Sequence, residues 1–218
     1  MGFISSCRDN SRGCFLKSAA VTIIDYGIGN IQAFCNIYSG LNVSVEVATS
    51  PVELSRAQKI ILPGVGAFDW AMERLISSGL QETLTALVVK EKIPILGVCV
   101  GMQMMAKRSE EGNLSGLGWF DADVRRFDPN DKYLPHMGWN DVSPIRSNRL
   151  FNGIIDPKFY FLHSYFFCPS HPSQSLATTN YGIEFTSAVA NEHIYGVQFH
   201  PEKSHKWGIK LLKNFVEL

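Results

Sequence analysis

The first half of the chain alternates short apolar runs with helical stretches, and this alternation constrains the fold more than any other feature. The apolar runs are AVTIID at 20–25, KIILP at 59–63 and IPILGVC at 93–99. A helical stretch follows the first run to about residue 39, and another covers 67–90 with an interruption near Gly79. Short apolar strands separated by helices are typical of βαβ units, in which helices cover both faces of a parallel sheet. The first half therefore predicts an open, mostly parallel α/β sheet flanked by helices.

The second half is rich in strand patterns and poor in helices. The predicted strands cover 119–127, 132–145, 158–168, 175–180, 183–190 and 193–199. They indicate antiparallel hairpins beside the parallel core, and hence a mixed sheet. The stretch over 204–217 predicts an amphipathic helix, on which Trp207, Leu211, Leu212 and Phe215 can share one face. We expect one domain, 21–218, after a flexible leader at 1–20 that has no apolar signal segment.

Composition excludes several classes of function. The 20 basic and 20 acidic residues cancel, so bulk charge predicts neither a nucleic-acid partner nor a membrane-surface partner. No apolar run reaches the roughly twenty residues of a membrane span. The five cysteines are irregularly spaced without a CxxC pair, which favours reduced thiols in the cytoplasm over a zinc knuckle or disulfide framework. Neither a metal nor a cofactor is expected.

The segment Gly97–Gly101 has the form G-x-C-x-G and lies where an apolar strand meets VGMQMMAKR, a stretch predicted to be helical. This is the context of a nucleophile elbow, a tight turn that strains its central residue, here Cys99. Small residues on both sides let the turn close. Helix N-terminal amides would favour the thiolate. A lone cysteine is more often a buried structural residue, but strand, glycines and helix together favour a nucleophile.

His200 and Glu202 could complete this site. His200 ends the strand-like run GVQF, and residues two apart in an extended chain project to the same side, so Glu202 can orient the His200 ring. Considered alone, each of the two residues is more simply interpreted as an ordinary surface side chain. Together with Cys99 they form a coherent set for acyl transfer.

These motifs resemble the class I, triad-type glutamine amidotransferases, which have a flavodoxin-like architecture. Further segments are similar to the glutaminase subunits of imidazole glycerol phosphate synthases. They are DYGIGN at 25–30, LPGVGAF at 62–68, SEEG at 109–112, PHMGWN at 135–140, FLHSY at 161–165 and GVQFHPEKS at 196–204. The resemblance covers about residues 21–218.

The resemblance implies a glutaminase mechanism. Cys99 would attack the side-chain amide of glutamine, His200 would protonate the departing ammonia, and Glu202 would orient His200. The oxyanion would meet the Val100 amide and the strand that holds Gly64 and Gly66.

It also implies how glutamine is held. Gln103 and Glu111 would bind its α-amino and carboxylate ends, near the backbone of His163, Ser164 and Tyr165. Glu111 is preferred to Glu110 for its distance from Cys99, although both could be solvated charges.

The resemblance further implies that the partner is a separate (βα)₈-barrel cyclase subunit. It would receive the ammonia and form imidazole glycerol phosphate and AICAR in histidine biosynthesis. Candidate interface residues are Tyr133, Met137, Trp139, Asn140 and Lys203, with Tyr26 and Asn30 as further possibilities.

Three alternatives remain. A paralogous subunit would supply ammonia for amidine formation on a surface-polysaccharide sugar. A regulatory module without catalysis would not need the intact triad. A cysteine hydrolase of the same fold, acting on peptides or small thiols, would not need Gln103 or the HSY segment.

Overall fold

The computed structural model describes residues 20–130 and 133–218. The predicted leader at 1–20 lies outside the described residues, except for Ala20. The strands are β1 (Val21–Ile24), β2 (Val45–Ala48), β3 (Ile60–Gly64), β4 (Ile95–Cys99), β5 (Arg108–Ser109), β6 (Ala122–Arg126), β7 (His136–Asp141), β8 (Ser143–Pro144), β9 (Lys158–His163), β10 (Tyr165–Pro169), β11 (Ser175–Tyr181), β12 (Ile183–Asn191) and β13 (Ile194–Val197).

The α-helices are α1 (Ile31–Gly40), α2 (Pro51–Leu54), α3 (Phe68–Ser77), α4 (Leu80–Thr85), α5 (Val100–Gln103) and α6 (His205–Val216). A π-helical turn covers Ala86–Lys90, and 3₁₀ turns cover Arg149–Phe151, Pro172–Gln174 and Pro201–Lys203. The predicted interruption in 67–90 is confirmed, because Gly79 adopts φ +73° between α3 and α4. Among the described residues, no helix is both long and apolar enough to span a bilayer.

The main sheet is mixed, with a parallel core. Its strand order is β2-β1-β3-β4-β13-β12-β10-β6-β5, and β11 pairs with β12 and β8. The strands from β2 to β13 run parallel, whereas β12, β10 and β6 continue with antiparallel pairings. Every residue of β1, β3 and β4 is buried, as expected of central strands covered on both faces. The predicted fold class is confirmed.

The sequence placed one strand over 158–168, and this was wrong. The chain bends at Ser164, so that β9 and β10 belong to different sheets. β9 pairs with β7 in a separate two-stranded antiparallel sheet. The predicted strand over 132–145 is likewise divided, into β7 and β8. The apolar run across Ser164 has no Gly or Pro to mark the break.

The predicted helix after Cys99 is much shorter than expected. α5 has four residues, and the next carbonyl groups accept hydrogen bonds from a loop instead of from the following turn. Met104 O accepts from Leu117 N, Met105 O from Phe120 N, and Ala106 O from Gly118 N. The three residues 104–106 are fully buried, so tertiary hydrogen bonds replace the helical ladder there.

Candidate active site

Cys99 lies at the carboxyl end of the central strand β4, in a strained backbone conformation. Its φ is +55° and its ψ is −114°, values that a non-glycine residue rarely adopts. The strand ends there and α5 begins at Val100, which confirms the predicted elbow. Because β13 pairs with β4 in parallel, the residues that follow β13 emerge at the same edge of the sheet.

Three glycines allow this turn to form. A Cβ on Gly101 would lie 2.1 Å from Leu62 O, and one on Gly97 would lie 2.7 Å from Gly101 O. A Cβ on Gly64 would lie 2.2 Å from Gly101 N. The elbow thus needs backbone contacts that any side chain at these positions would prevent.

His200 and Glu202 form a buried pair beside the elbow. Their side chains are 3% and 2% exposed, and His200 Nδ1 lies 2.9 Å from Glu202 Oε1. The other oxygen, Glu202 Oε2, has no hydrogen-bond partner among the described residues. Among the described residues, the carboxylate therefore bonds only to the His200 ring. Because this bond uses Nδ1, the other ring nitrogen, Nε2, is available to Cys99.

The environment of His200 favours its protonated form. Burial acts to lower its pKa, but the negative charge of Cys99, a hydrogen bond to Cys99 and the contact with Glu202 outweigh burial and raise the pKa to about 10. A thiolate beside an imidazolium is the reactive state of a cysteine nucleophile. The three residues can therefore hold such an ion pair.

The two elements around the pair fix its position. His200 N donates to Tyr160 O of β9 at 2.8 Å, and Tyr160 N donates to Ser204 Oγ at 3.0 Å. The Cys99 thiol lies 3.9 Å from Leu162 O, also in β9. This strand therefore touches both members of the Cys99–His200 pair through its backbone.

A cavity of about 310 Å³ opens over the thiol. It is lined by Val65, Gly66, Cys99, Val100, Gln103, Glu111, Pro135, Leu162, His163, Ser164, Tyr165, His200 and Lys203. The predicted substrate residues meet here, except Gly64. That residue packs behind the elbow, opposite Cys99 in the β3–β4 register, and its contribution to an oxyanion site stays a prediction.

Gln103 and Glu111 present hydrogen-bond acceptors to this cavity. Both hydrogens of Gln103 Nε2 are donated within the protein, to Tyr165 O and Gln198 Oε1, each at 3.0 Å, so Gln103 offers the cavity only Oε1. Glu111 Oε2 accepts from Phe68 N at 2.9 Å, and burial raises the pKa of this carboxyl. Two acceptors suit an ammonium group and not a carboxylate.

Glu110, the alternative to Glu111, points elsewhere. Its carboxylate accepts from Arg126 N at 2.7 Å, on a surface away from Cys99. The choice of Glu111 from chain distance agrees with this placement.

Two neutral histidines connect the cavity to β7. His163 Nδ1 lies 2.8 Å from Tyr165 O, which can only accept, so that nitrogen carries the proton. His163 Nε2 then accepts from His136 Nδ1 at 3.0 Å, and His136 Nε2 accepts from Asn140 Nδ2 at 3.1 Å. Burial lowers the pKa of His136 to about 4 and, with the His136 contact, that of His163 to about 3.

The outer face of the β7–β9 sheet is apolar and exposed. Met137 lies opposite Leu162, and Trp139 lies opposite Tyr160. Met137, Trp139 and Leu162 are 65%, 43% and 38% exposed. We call this set, Met137, Trp139, Tyr160 and Leu162, the β7–β9 face. Adjacent apolar side chains of this kind mark protein interaction sites.

The other predicted interface residues lie around this face. Tyr133 is almost fully exposed, and Lys203 lines the cavity with its ammonium 5.8 Å from the Tyr160 ring centre. Asn140 is half-buried and is bonded to Asn180 O and His136. The side-chain amide of Asn140 therefore makes its hydrogen bonds within the protein.

The suggestion that Tyr26 faces a partner was wrong. Tyr26 is 2% exposed, and its hydroxyl donates to Pro63 O at 2.5 Å. It therefore supports the carboxyl end of β3 from inside the protein. Asn30 is exposed, as that suggestion requires.

Three residues near the thiol were missed by sequence reasoning. Pro135 and Leu162 line the cavity, and Gln198 Nε2 lies 3.8 Å from Cys99 Sγ. The spacing argument that paired Glu202 with His200 applies equally to Gln198, two residues before His200. For Pro135 and Leu162 the local pattern carried no comparable signal, because their chain segments meet Cys99 only in the fold.

Sequence comparisons extend over almost the whole described chain. A family model described as "Glutamine amidotransferase class-I" matches residues 22–218. A protein of Bdellovibrio bacteriovorus, named imidazole glycerol phosphate synthase subunit HisH, is 58% identical over 203 residues, covering 91% of this chain and 100% of that protein. Subunit HisH 2 of Pseudomonas aeruginosa is 48% identical, covering 91% and 99%.

Solved structures share the fold at low sequence identity. A structure described as a glutamine amidotransferase superimposes with a TM-score of 0.70 at 18% identity, covering 91% of this chain and 97% of that one. A glutamine amidotransferase from Thermotoga maritima gives a TM-score of 0.60 at 21% identity, covering 90% and 80%. These similarities concern the architecture alone.

Proposed function

The chain belongs to the class-I glutamine amidotransferase family, and on this premise we propose that it is the glutaminase subunit of an imidazole glycerol phosphate synthase. The observation that carries the proposal is the buried Cys99–His200–Glu202 set at the base of a cavity. The names of its relatives from Bdellovibrio and Pseudomonas support the choice of pathway.

In the proposed reaction, the Cys99 thiolate attacks the side-chain carbonyl carbon of glutamine. An S–C bond forms and the carbonyl oxygen takes up the negative charge. The protonated His200 then gives its proton to the amide nitrogen as the C–N bond breaks and ammonia leaves. The charges of Cys99 and Glu202, which raise the pKa of His200, favour the protonated ring before the thiolate attacks.

Hydrolysis of the glutamyl thioester completes the cycle. His200, now neutral, takes a proton from water as its oxygen attacks the thioester carbon, and the C–S bond breaks to release glutamate. Glu202 holds the ring in one orientation throughout. Val100 and the segment of Gly64 and Gly66 would supply amides to the oxyanion.

Glutamine would be held by its α-amino group. Gln103 Oε1 and the Glu111 carboxylate both accept, so we assign both to the substrate ammonium. The substrate carboxylate then requires donors. We assign this role to backbone amides of the segment from His163 through Ser164 to Tyr165, because these residues line the same cavity. Lys203 adds a positive charge there.

The ammonia would pass to a separate (βα)₈-barrel cyclase subunit. The β7–β9 face is the surface that we propose for docking, because it is apolar, exposed and adjacent to the cavity. Tyr133 and Lys203 would extend this contact. The described cysteines are free thiols, which suits action in the cytoplasm.

The direct test is glutamate release from glutamine by the chain with its barrel subunit. We expect the wild type to be active and Cys99→Ala to be inactive, while Cys168→Ala, which alters a cysteine outside the site, retains activity. Activity in the Cys99→Ala variant would refute the proposal.

The pathway requires a separate test. Expression in a histidine auxotroph lacking its own glutaminase subunit should restore growth without histidine, and Cys99→Ala should not. An active glutaminase that fails to restore growth would favour the amidation of a polysaccharide sugar.

A further inference from the structure

A buried side-chain amide contacts the proposed nucleophile from inside the protein. Gln198 is fully buried and follows β13, two residues before His200. Its Nε2 lies 3.8 Å from Cys99 Sγ, within the range of a hydrogen bond to sulfur. Gln198 is not among the residues that line the cavity, so it can act on the nucleophile without contacting the substrate.

The orientation of this amide is fixed by a backbone carbonyl. Gln103 lies 3.0 Å from Tyr165 O, which can only accept, so Gln103 must turn its Nε2 toward that oxygen. The same nitrogen lies 3.0 Å from the Gln198 side chain. Gln198 must therefore present its oxygen to Gln103 and its NH₂ group to Cys99. A flipped amide would bring two donors together at Gln103.

A donor at this position favours the thiolate. A hydrogen bond to the charged form of a group stabilises that form. The carbonyl of Leu162, 3.9 Å from the same sulfur, can only accept and so favours the protonated thiol. A negative charge on Cys99 raises the pKa of two titratable neighbours, His200 and Tyr26. Gln198 is the neutral donor that offsets the Leu162 carbonyl.

We propose that Gln198 is a catalytic hydrogen-bond donor that stabilises and positions the Cys99 thiolate, held in the donating orientation by Gln103 and the Tyr165 carbonyl. The proposal rests on the assignment of Cys99 as the nucleophile. It gives Gln103 a second task besides binding the substrate.

Alkylation of Cys99 by iodoacetamide tests the proposed role of Gln198 in the absence of glutamine. The rate is followed on the Cys99 peptide by mass spectrometry in the full chain. In Gln198→Met, which keeps the length of the side chain and removes the donor, the rate at pH 7 should fall about tenfold, the effect of losing one hydrogen bond to a charged group. At about pH 9.5, where thiols ionise without help, the two rates should converge.

Two further variants make the test decisive. Gln198→Glu keeps the shape but places an oxygen against the sulfur, and it should slow alkylation at pH 7 at least as much. Asn214→Leu removes a buried amide that bonds Leu150 O and Asn152 O away from the site, and it should alkylate like the wild type.

Equal alkylation rates at pH 7 in the wild type and Gln198→Met would overturn the proposal. An equal loss of rate at both pH values would also overturn it, because such a loss indicates that the reagent reaches Cys99 less easily. If Gln198→Met does not fold, Gln198→Glu decides by the same criteria. A Cys99→Ala chain that still hydrolyses glutamine would overturn the proposed function instead, whatever the alkylation rates.

Discussion

At the residue scale, the site depends on a few contacts that permit no substitution. Cys99 keeps a strained backbone because Gly64, Gly97 and Gly101 let three chain segments touch. His200 keeps its proton because the charges of Cys99 and Glu202 outweigh the effect of burial. The first feature is a matter of backbone geometry, and the second is a matter of side-chain charge.

Gly101→Ala should destabilise the fold strongly. The new Cβ would lie 2.1 Å from Leu62 O, a backbone atom that cannot move aside easily. We expect a loss of about 3 kcal/mol in the free energy of unfolding, measured by urea denaturation. Gly40→Ala is the control, because a Cβ there meets nothing within 4 Å. It should leave the stability unchanged or raise it slightly. Similar stabilities for both variants would show that the elbow tolerates a side chain.

Glu202→Gln should lower the pKa of His200 by about one unit, because the neutral amide loses the charge that favours the imidazolium. Glutamine hydrolysis should also fall at least tenfold, because the His200 ring loses the carboxylate that fixes its orientation. The pKa is measured by NMR of ¹⁵N-labelled imidazole. Glu184→Gln, at an exposed glutamate of β12, is the control. An unchanged His200 titration would mean that Glu202 has no electrostatic role.

At the scale of elements, β9 connects the surface to the chemistry. Its backbone contacts Cys99 and His200, while its outward side chains form part of the β7–β9 face. Its inward side chains include His163, which is bonded to His136 of β7. A shift of this sheet would therefore reach Cys99, the proposed nucleophile, directly.

The His136–His163 pair should make the fold sensitive to acid. A histidine with a lowered folded pKa is neutral in the folded chain and binds a proton on unfolding, so acid favours the unfolded chain. This loss of stability is absent above about pH 6.5 and grows as pH falls toward the folded values of about 4 and 3. At pH 5 each histidine should account for about 2 kcal/mol.

His136→Gln retains a donor for His163 Nε2 and removes one titrating group. The drop in unfolding free energy between pH 7.5 and pH 5, obtained from urea denaturation, should shrink by about 2 kcal/mol. The control, His171→Gln, alters an exposed histidine and should leave the drop unchanged. An equal drop in the wild type and His136→Gln would mean that His136 is protonated in the folded chain.

The sequence predicted the elements best where the pattern was local. The parallel core strands were predicted because each is a short apolar run bounded by turns. The break at Ser164 was missed because it depends on which sheet each half joins. This is a tertiary choice, and a strand-like run without Gly or Pro does not reveal it. The helix after Cys99 was overestimated for a similar reason, since distant amides capture its carbonyl groups.

At the scale of the whole molecule, the fold places a cavity and an apolar face side by side. The residues Cys99, His200 and Glu202 were predictable because the elbow and the strand-end spacing are local patterns. The partner surface was predicted only through a family resemblance. In the structure, Tyr26 is buried and cannot belong to that surface, whereas Leu162 is exposed and lies on the β7–β9 face.

Met137→Glu should weaken binding of the barrel subunit by roughly ten- to a hundredfold, because a charge would be buried without a partner at the interface. Binding is measured by isothermal titration calorimetry. Ile155→Glu is the control, since Ile155 is 80% exposed but lies outside the β7–β9 face. Equal weakening by both variants, or none by Met137→Glu, would place the docking surface elsewhere.

The central claim is that Cys99 forms a covalent bond with glutamine, and one measurement tests it most directly. The complex with the barrel subunit is quenched with acid during turnover of glutamine, and the peptide containing Cys99 is analysed by mass spectrometry. We predict a glutamyl group on Cys99 in the wild type and none in Cys99→Ala, which should also release no glutamate. Sustained glutamate release by the Cys99→Ala complex, in the absence of any adduct, would contradict the claim.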